Sequence, residues 1–272
     1  MTRKILSQID ADGNATVMLN RPEAHNAFDP EMVDALTATF TKLEADARVR
    51  AVVITSTSPN FCAGADIEHM KRSAKFSRAQ NLESARATAT MLNTLYTLEK
   101  PTIACVRGAV RGGGVGLVSA CDIAIAARTA TFRFSEVKLG IIPAMISPYV
   151  IAAMGVRHAR RFMISGEEFD SAEAFRTGLV HDICEEDELN AKVGRMLGHL
   201  YSSGPGAIVA IKKLITEVAG APINEPLVEK TAQRIAQART TTEAQEGLSA
   251  FLEKRKAAWS TPAPEAKSGK KK

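Results

Sequence analysis

Short apolar runs bounded by turn residues alternate with amphipathic stretches through the first half of the chain. Lys4 to Ile9 and Ala15 to Leu19 read as two strands joined by a turn at Asp12-Gly13. Asp29-Pro30 opens a helix, with an aspartate as its cap and a proline at its first position. Met32, Leu36, Phe40 and Leu43 then recur at helical spacing. Val52 to Thr55 is a short apolar strand, and Asn81 to Leu98 a helix with Leu82, Ala85, Ala89, Leu92 and Leu95 on one face. Thr102 to Val106 returns to strand, Gly113 to Cys121 to an apolar helix, and Ile123 to Ala127 to strand. Strand, helix and strand in repetition require crossover connections, so the fold class is α/β. From Pro148 to Trp259 helical segments dominate, broken near Gly166, Gly178, Gly204-Pro205 and Gly220. The pattern divides the chain into a core over 1–200, a helical region over 201–260 and a tail over 261–272. That tail, with Lys267, Lys270, Lys271 and Lys272 among Ala, Pro, Ser and Gly, reads as disordered.

Composition adds limits rather than direction. The 272 residues are 45% hydrophobic and 24% charged, an ordinary balance for a globular protein. No run of eighteen apolar residues marks a membrane span. Met1 to Asp10 has neither an apolar signal core nor an Arg/Ser-rich targeting pattern, which makes the cytoplasm the default location. Much of the net charge of +5 comes from the four tail lysines, so the body is close to neutral and no nucleic-acid surface is compelled. Cys62, Cys105, Cys121 and Cys184 match no common zinc spacing and give no disulfide framework, so no metal is expected. Cys62 reads as a small buried thiol rather than a nucleophile.

Two loops of small residues carry the candidate chemistry. Phe61-Cys62-Ala63-Gly64-Ala65-Asp66-Ile67 follows the strand at Val52, and Gly112-Gly113-Gly114 follows the strand at Thr102. Small residues let backbone N–H groups approach a ligand closely. Two such groups from different loops can converge on one carbonyl oxygen and stabilise an enolate, at about 3–4 kcal/mol per donor. Gly113 stands at the start of a helix, whose dipole favours negative charge there. Glu136, after Phe132, Phe134 and Ser135 at the end of a strand, is the candidate acid/base, because an apolar setting raises a carboxyl pKa toward a useful range.

Taken in order, these segments resemble the crotonase, or enoyl-CoA hydratase/isomerase, family. The matching residues are Asn20-Arg21-Pro22 with Asn26-Ala27, Phe61 to Ile67, Gly108 with Gly112 to Gly114, Cys121-Asp122-Ile123 and Phe134-Ser135-Glu136-Val137. Further matches are Leu139-Gly140 with Pro143, Ala172-Glu173-Ala174 with Gly178-Leu179-Val180, and Glu246-Gly247 with Phe251 to Arg255. The resemblance implies a spiral of ββα units with a helical C-terminal trimerisation region. It implies an acyl-CoA thioester as substrate, with coenzyme A as part of that substrate and no separate cofactor. By family position, Ala63 and Gly113 supply the N–H groups for the thioester carbonyl, and Glu136 activates water. Gly64, Ala65, Asp66 and Ile67 line the path of the coenzyme, while Phe251 and Lys254 reach its nucleotide. A homotrimer or hexamer is expected, with apolar faces of the C-terminal helices, including Leu248, Phe251, Leu252, Ile208, Ile211 and Ile215, at the interface.

Gly116 departs from the two-carboxylate pattern of the family, which has a second glutamate at that position. Glycine donates and accepts no side-chain proton. Three outcomes stay open on the residues alone: hydration through Glu136 alone, Δ3,Δ2-enoyl-CoA isomerisation through one base, or a silent acyl-CoA- or RNA-binding protein. The stretch Ala144-Met145-Ile146-Ser147-Pro148-Tyr149 also replaces a more glycine-rich family loop. With Gly116, it is similar to hydratases of branched acyl-CoAs such as 3-methylglutaconyl-CoA. The leading expectation is hydration of a short or branched 2-enoyl-CoA.

Overall fold

The computed structural model describes residues 3–260; the expected disordered tail over 261–272 lies outside them. Contacts divide the chain into two units. The first comprises Met1–Leu98 and Thr102–Val193, and the second Glu99–Pro101 with Gly194 onward.

In the first unit the chain runs through β1 (Ile5–Ile9), β2 (Asn14–Leu19), α1 (Pro30–Ala45), β3 (Ala51–Ser56), α2 (Ile67–Ser73) and α3 (Arg78–Tyr96). It continues through β4 (Thr102–Val106), β5 (Ala109–Arg111), α4 (Gly113–Ser119), β6 (Ile123–Ala127), β7 (Thr131–Arg133) and α5 (Ser147–Ser165). β8 (Glu168–Asp170), α6 (Ser171–Arg176) and β9 (Asp182–Cys184) follow. β1, β2, β3, β4, β6 and β9 form one sheet in that order, parallel except for the β1–β2 hairpin. β5, β7 and β8 form a second, smaller sheet, which a bridge from Val110 extends to Cys62. Each turn of chain thus lays a strand in the large sheet, then a short strand in the small one, as in β4–β5–α4 and β6–β7. This mixed α/β arrangement agrees with the expected α/β class.

Why these residues form these elements is visible in their caps and faces. The Asp29 carboxylate accepts from Met32 N–H at 2.9 Å, and Pro30 follows it, which fixes the start of α1. Met32, Leu36, Phe40 and Leu43 are all buried, as their spacing requires. The helix α3 starts three residues earlier than its apolar pattern suggests, because Ser77 and Gln80 form a capping box. Its buried residues are Met91, Leu92 and Leu95, whereas Leu82 is exposed. The three-residue strands β5, β7, β8 and β9 are too short to show a period in sequence.

The parallel pairing of β3 with β4 matters most for function. Val52, Val53 and Ile54 pair with Thr102, Ile103 and Ala104, so both strands end at the same edge of the sheet. The loops that leave them begin side by side there, as ligand-binding loops do in parallel sheets.

The second unit contains the C-terminal part of α7 (Leu189–Ser202), then α8 (Pro205–Val218), α9 (Glu225–Arg239) and α10 (Thr242–Leu252). Its division from the first unit falls inside α7, between Val193 and Gly194. Glu243 of α10 accepts from Gly206 and Ala207 N–H at the start of α8, both at 2.8 Å, satisfying amides that the helix leaves open. Ile211, Ile215, Leu248, Phe251 and Leu252 are exposed. Among the described residues no helix is long and apolar enough to cross a membrane.

Candidate active site

Phe28 sits between the two small-residue loops. Its N–H donates to the Gly64 carbonyl at 2.7 Å, and its carbonyl accepts from Asp66 N–H at 2.9 Å. Its ring faces the second loop, where a β-carbon on Gly113 would stand 3.1 Å from it. Cys62 locks the loops together further along. Its N–H donates to Ala109 at 3.2 Å, and its carbonyl accepts from Arg111 at 2.9 Å. A β-carbon on Gly114 would stand 2.8 Å from Cys62 Cβ, and one on Gly64, at φ 89°, would stand 3.0 Å from the Arg111 carbonyl. These glycines are therefore required by close backbone approach.

Asn26 braces the first loop from below. This fully buried residue, in left-handed conformation at φ 57°, donates from Nδ2 to Ser58 Oγ at 2.9 Å and to the carbonyls of Asn60 and Phe61 at 3.1 Å. Its Oδ1 accepts from Arg21 N–H at 2.8 Å.

The donor expected at Ala63 is corrected by the structure. Ala63 N–H donates to the His25 carbonyl at 3.0 Å, so it is taken up within the loop. Two residues further on, Ala65 is exposed and its N–H has no hydrogen-bond partner among the described residues. Gly113 N–H, at the first position of α4, likewise has none. Asp66, expected to face the coenzyme, is also reassigned. Its carboxylate accepts from His69 N–H at 2.7 Å as the cap of α2 and pairs with Arg21 Nη1 at 2.7 Å. Burial opposes its ionisation, but these hydrogen bonds and the Arg21 charge outweigh that and hold the carboxyl below its usual range. Ile67, the next residue, is 68% exposed.

Glu136 begins a short 3-10 helix, Glu136–Leu139, after β7. Its carboxylate lies over Gly112, whose β-carbon would stand 2.9 Å from Oε1. The other oxygen, Oε2, is buried with no hydrogen-bond partner among the described residues. Burial pushes the carboxyl above the usual glutamate range, against a smaller opposing effect of the Glu136 and Ser135 backbone amides. A half-buried carboxyl with an idle oxygen, next to a free helix-terminal amide, is placed to move a proton at whatever that amide holds.

Cys62 has no part in that chemistry. It is fully buried, its Sγ donates to the Asn26 carbonyl at 3.1 Å, and burial pushes its thiol up to about 12. His69, on α2, lies 3.3 Å from Ser84 Oγ through Nε2. Ile146, in the stretch that replaces the glycine-rich family loop, is 2% exposed, whereas Met145 is 39% exposed and Ser147 Oγ donates to the Ala144 carbonyl at 2.8 Å. In the second unit, Phe251 is 80% exposed and Lys254 adopts φ 53° just beyond α10. Arg255 beside it pairs with Glu246 and Glu253, but Lys254 has no carboxylate partner among the described residues.

The sequence alone did not single out Phe28 or the open amide of Ala65. Only the cross-chain contacts just described distinguish them.

This constellation belongs to a known class. The enoyl-CoA hydratase/isomerase family model matches residues 11–262. A solved enoyl-CoA hydratase from Shewanella pealeana superimposes with a TM-score of 0.91 at 38% identity, over 94% of this chain and 96% of that one. A second, from Mycobacterium smegmatis, does so with a TM-score of 0.90 at 30% identity, over 96% of this chain and all of that one, 100%. The crotonyl-CoA hydratase of Syntrophomonas wolfei is 32% identical over 246 residues, 89% of this chain and 93% of its own length. The chain belongs to the enoyl-CoA hydratase/isomerase family.

Proposed function

We propose that the protein hydrates a short or branched 2-enoyl-CoA, with Glu136 as the side chain that transfers the proton in both steps. The observation that carries this reading is the Glu136 carboxylate over Gly112, the residue before Gly113, with Oε2 and the Gly113 amide both without a hydrogen-bond partner among the described residues. The thioester carbonyl accepts from Ala65 and Gly113 N–H. Glu136 takes a proton from water as the water oxygen bonds to C3. The C2=C3 electrons move toward the carbonyl, giving an enolate that the two amides and the helix dipole stabilise. Glu136-H then returns its proton to C2, giving the 3-hydroxyacyl thioester. One carboxyl thus serves both steps, and the product differs from substrate by one water.

In the first unit, exposed Ile67 is a proposed contact for the pantetheine. In the second unit, taken by itself, exposed Phe251 is proposed for an adenine ring and Lys254, which has no carboxylate partner among the described residues, for a phosphate. The exposed apolar residues of α8 and α10 support a homotrimer or hexamer. Light scattering returning about 29 kDa would overturn the assembly.

Parallel assays with crotonyl-CoA and 3-methylglutaconyl-CoA, followed by loss of conjugated enoyl absorbance, test the activity. Turnover of neither by folded protein contradicts it. A single carboxyl also suffices for an allylic proton shift. A 3-enoyl-CoA converted to its 2-enoyl isomer without further hydration would assign the isomerase reaction instead.

A further inference from the structure

We infer that Ile146 is a specificity-determining residue, the end wall of the acyl site, and that Gly116 is glycine because Ile146 occupies its side-chain space. The inference rests on the hydratase reading above but concerns a residue to which that reading gives no role.

The argument starts on α4. Gly112 is the non-helical cap of α4, and Gly116 lies one turn inside it, its N–H donating to the Gly112 carbonyl at 3.3 Å. The structure fills the space beside these two glycines differently. Glu136 lies on Gly112, with Oε1 2.9 Å from the position of a β-carbon. Ile146 lies on Gly116, so closely that a β-carbon there would overlap Cγ2 and stand 2.8 Å from Ile146 Cβ. No flexible chain end is involved on the Ile146 side, because its branched Cβ is rigid and its backbone starts α5. Any side chain at position 116 therefore displaces Ile146 first.

An acyl chain whose carbonyl rests on Gly113 N–H runs past Glu136 and then along α4. One turn of helix, about 5.4 Å, separates the space beside Gly112 from that beside Gly116. That leaves room for a few carbons before the chain meets a buried, branched, apolar side chain. Ile146 is 2% exposed and belongs to the hydrophobic core, so it is held from behind and does not swing aside freely. The substrate class selected is a short 2-enoyl thioester, and lengthening the acyl group means pushing against the core.

The test compares kcat/KM for 2-octenoyl-CoA and crotonyl-CoA in the full-length protein and three variants. Ile146→Ala removes the wall, and the ratio of long to short substrate should rise about tenfold, the scale of a methylene-sized change in an apolar pocket. Ile146→Val, which keeps the core nearly filled, should move the ratio the same way by a smaller factor, and it serves if the alanine variant does not fold. Gly116→Ala in the Ile146→Ala background should bring the ratio back toward that of the unmodified protein, because the added methyl refills the vacated space. A ratio unchanged in the folded Ile146 variants, with crotonyl-CoA still hydrated by the unmodified protein, overturns this inference alone. Failure of the unmodified protein to hydrate either substrate overturns the hydratase reading and this inference with it.

Discussion

The carboxylate of Glu136 rests on the α-carbon of Gly112, within 2.9 Å of where a β-carbon would stand. Gly112 holds φ 45° and ψ −115°, a conformation that L side chains avoid. Its amide donates to the Arg133 carbonyl at 2.9 Å, tying β7 to the entrance of α4. One glycine therefore sets how close the Glu136 carboxylate comes to the start of α4.

Gly112→Ala tests that relationship. The added methyl pushes Glu136 aside, and a displacement of about 1 Å costs roughly a hundredfold in rate. Backbone strain adds about 1–3 kcal/mol of destabilisation. The expected outcome is a fall in kcat/KM of about that size in a protein whose thermal midpoint drops but which still folds, read by circular dichroism.

The raised pKa of Glu136 gives a pH dependence with a definite sign. The group must be ionised to accept a proton from water, so kcat/KM falls as pH drops through its folded pKa. That acid limb is expected above the usual glutamate range, and Glu136→Gln should abolish it. Stability moves the opposite way. A carboxyl whose folded pKa is raised costs stability once it ionises, so its penalty is absent below the unfolded pKa and complete above the folded one. Glu136→Gln should raise the thermal midpoint at neutral pH and change it little at pH about 4.

Asn26 carries the architecture of the first loop, and its loss should be felt as stability. Asn26→Ala leaves Arg21 N–H and the carbonyls of Asn60 and Phe61 short of a partner and places alanine at φ 57°. A destabilisation of about 3 kcal/mol is expected, measured by urea unfolding, with unchanged slope. Activity should fall as well, because the loop carrying Ala65 loses its brace.

The fold was legible wherever the chain repeats at one period over several residues. The faces of α1 and the strands β2, β3, β4 and β6 follow directly from apolar spacing. The short strands β5 and β7 do not, because three residues show no period, yet they aim Gly112 and Glu136 at each other. Small residues in two loops marked the candidate site in the sequence, and the structure brings those loops together through Phe28 and Cys62. Which amide in the first loop is free was not readable, because peptide direction there is set by His25 and Phe28, more than thirty positions earlier in the chain. The Ala63 amide turns to His25, and the chain emerges with Ala65 open. The absence of a carboxylate at position 116 was plain in sequence, but the reason for it lies in Ile146, which meets Gly116 only through folding.

The most direct measurement is the rate of crotonyl-CoA hydration by Glu136→Gln at neutral pH, in protein shown to be folded. Glutamine keeps the size of the side chain but cannot take a proton from water. If Glu136 performs both proton transfers, kcat should fall by about a hundredfold or more. A rate within a few-fold of the unmodified protein would contradict the assignment and place the acid/base chemistry on another residue.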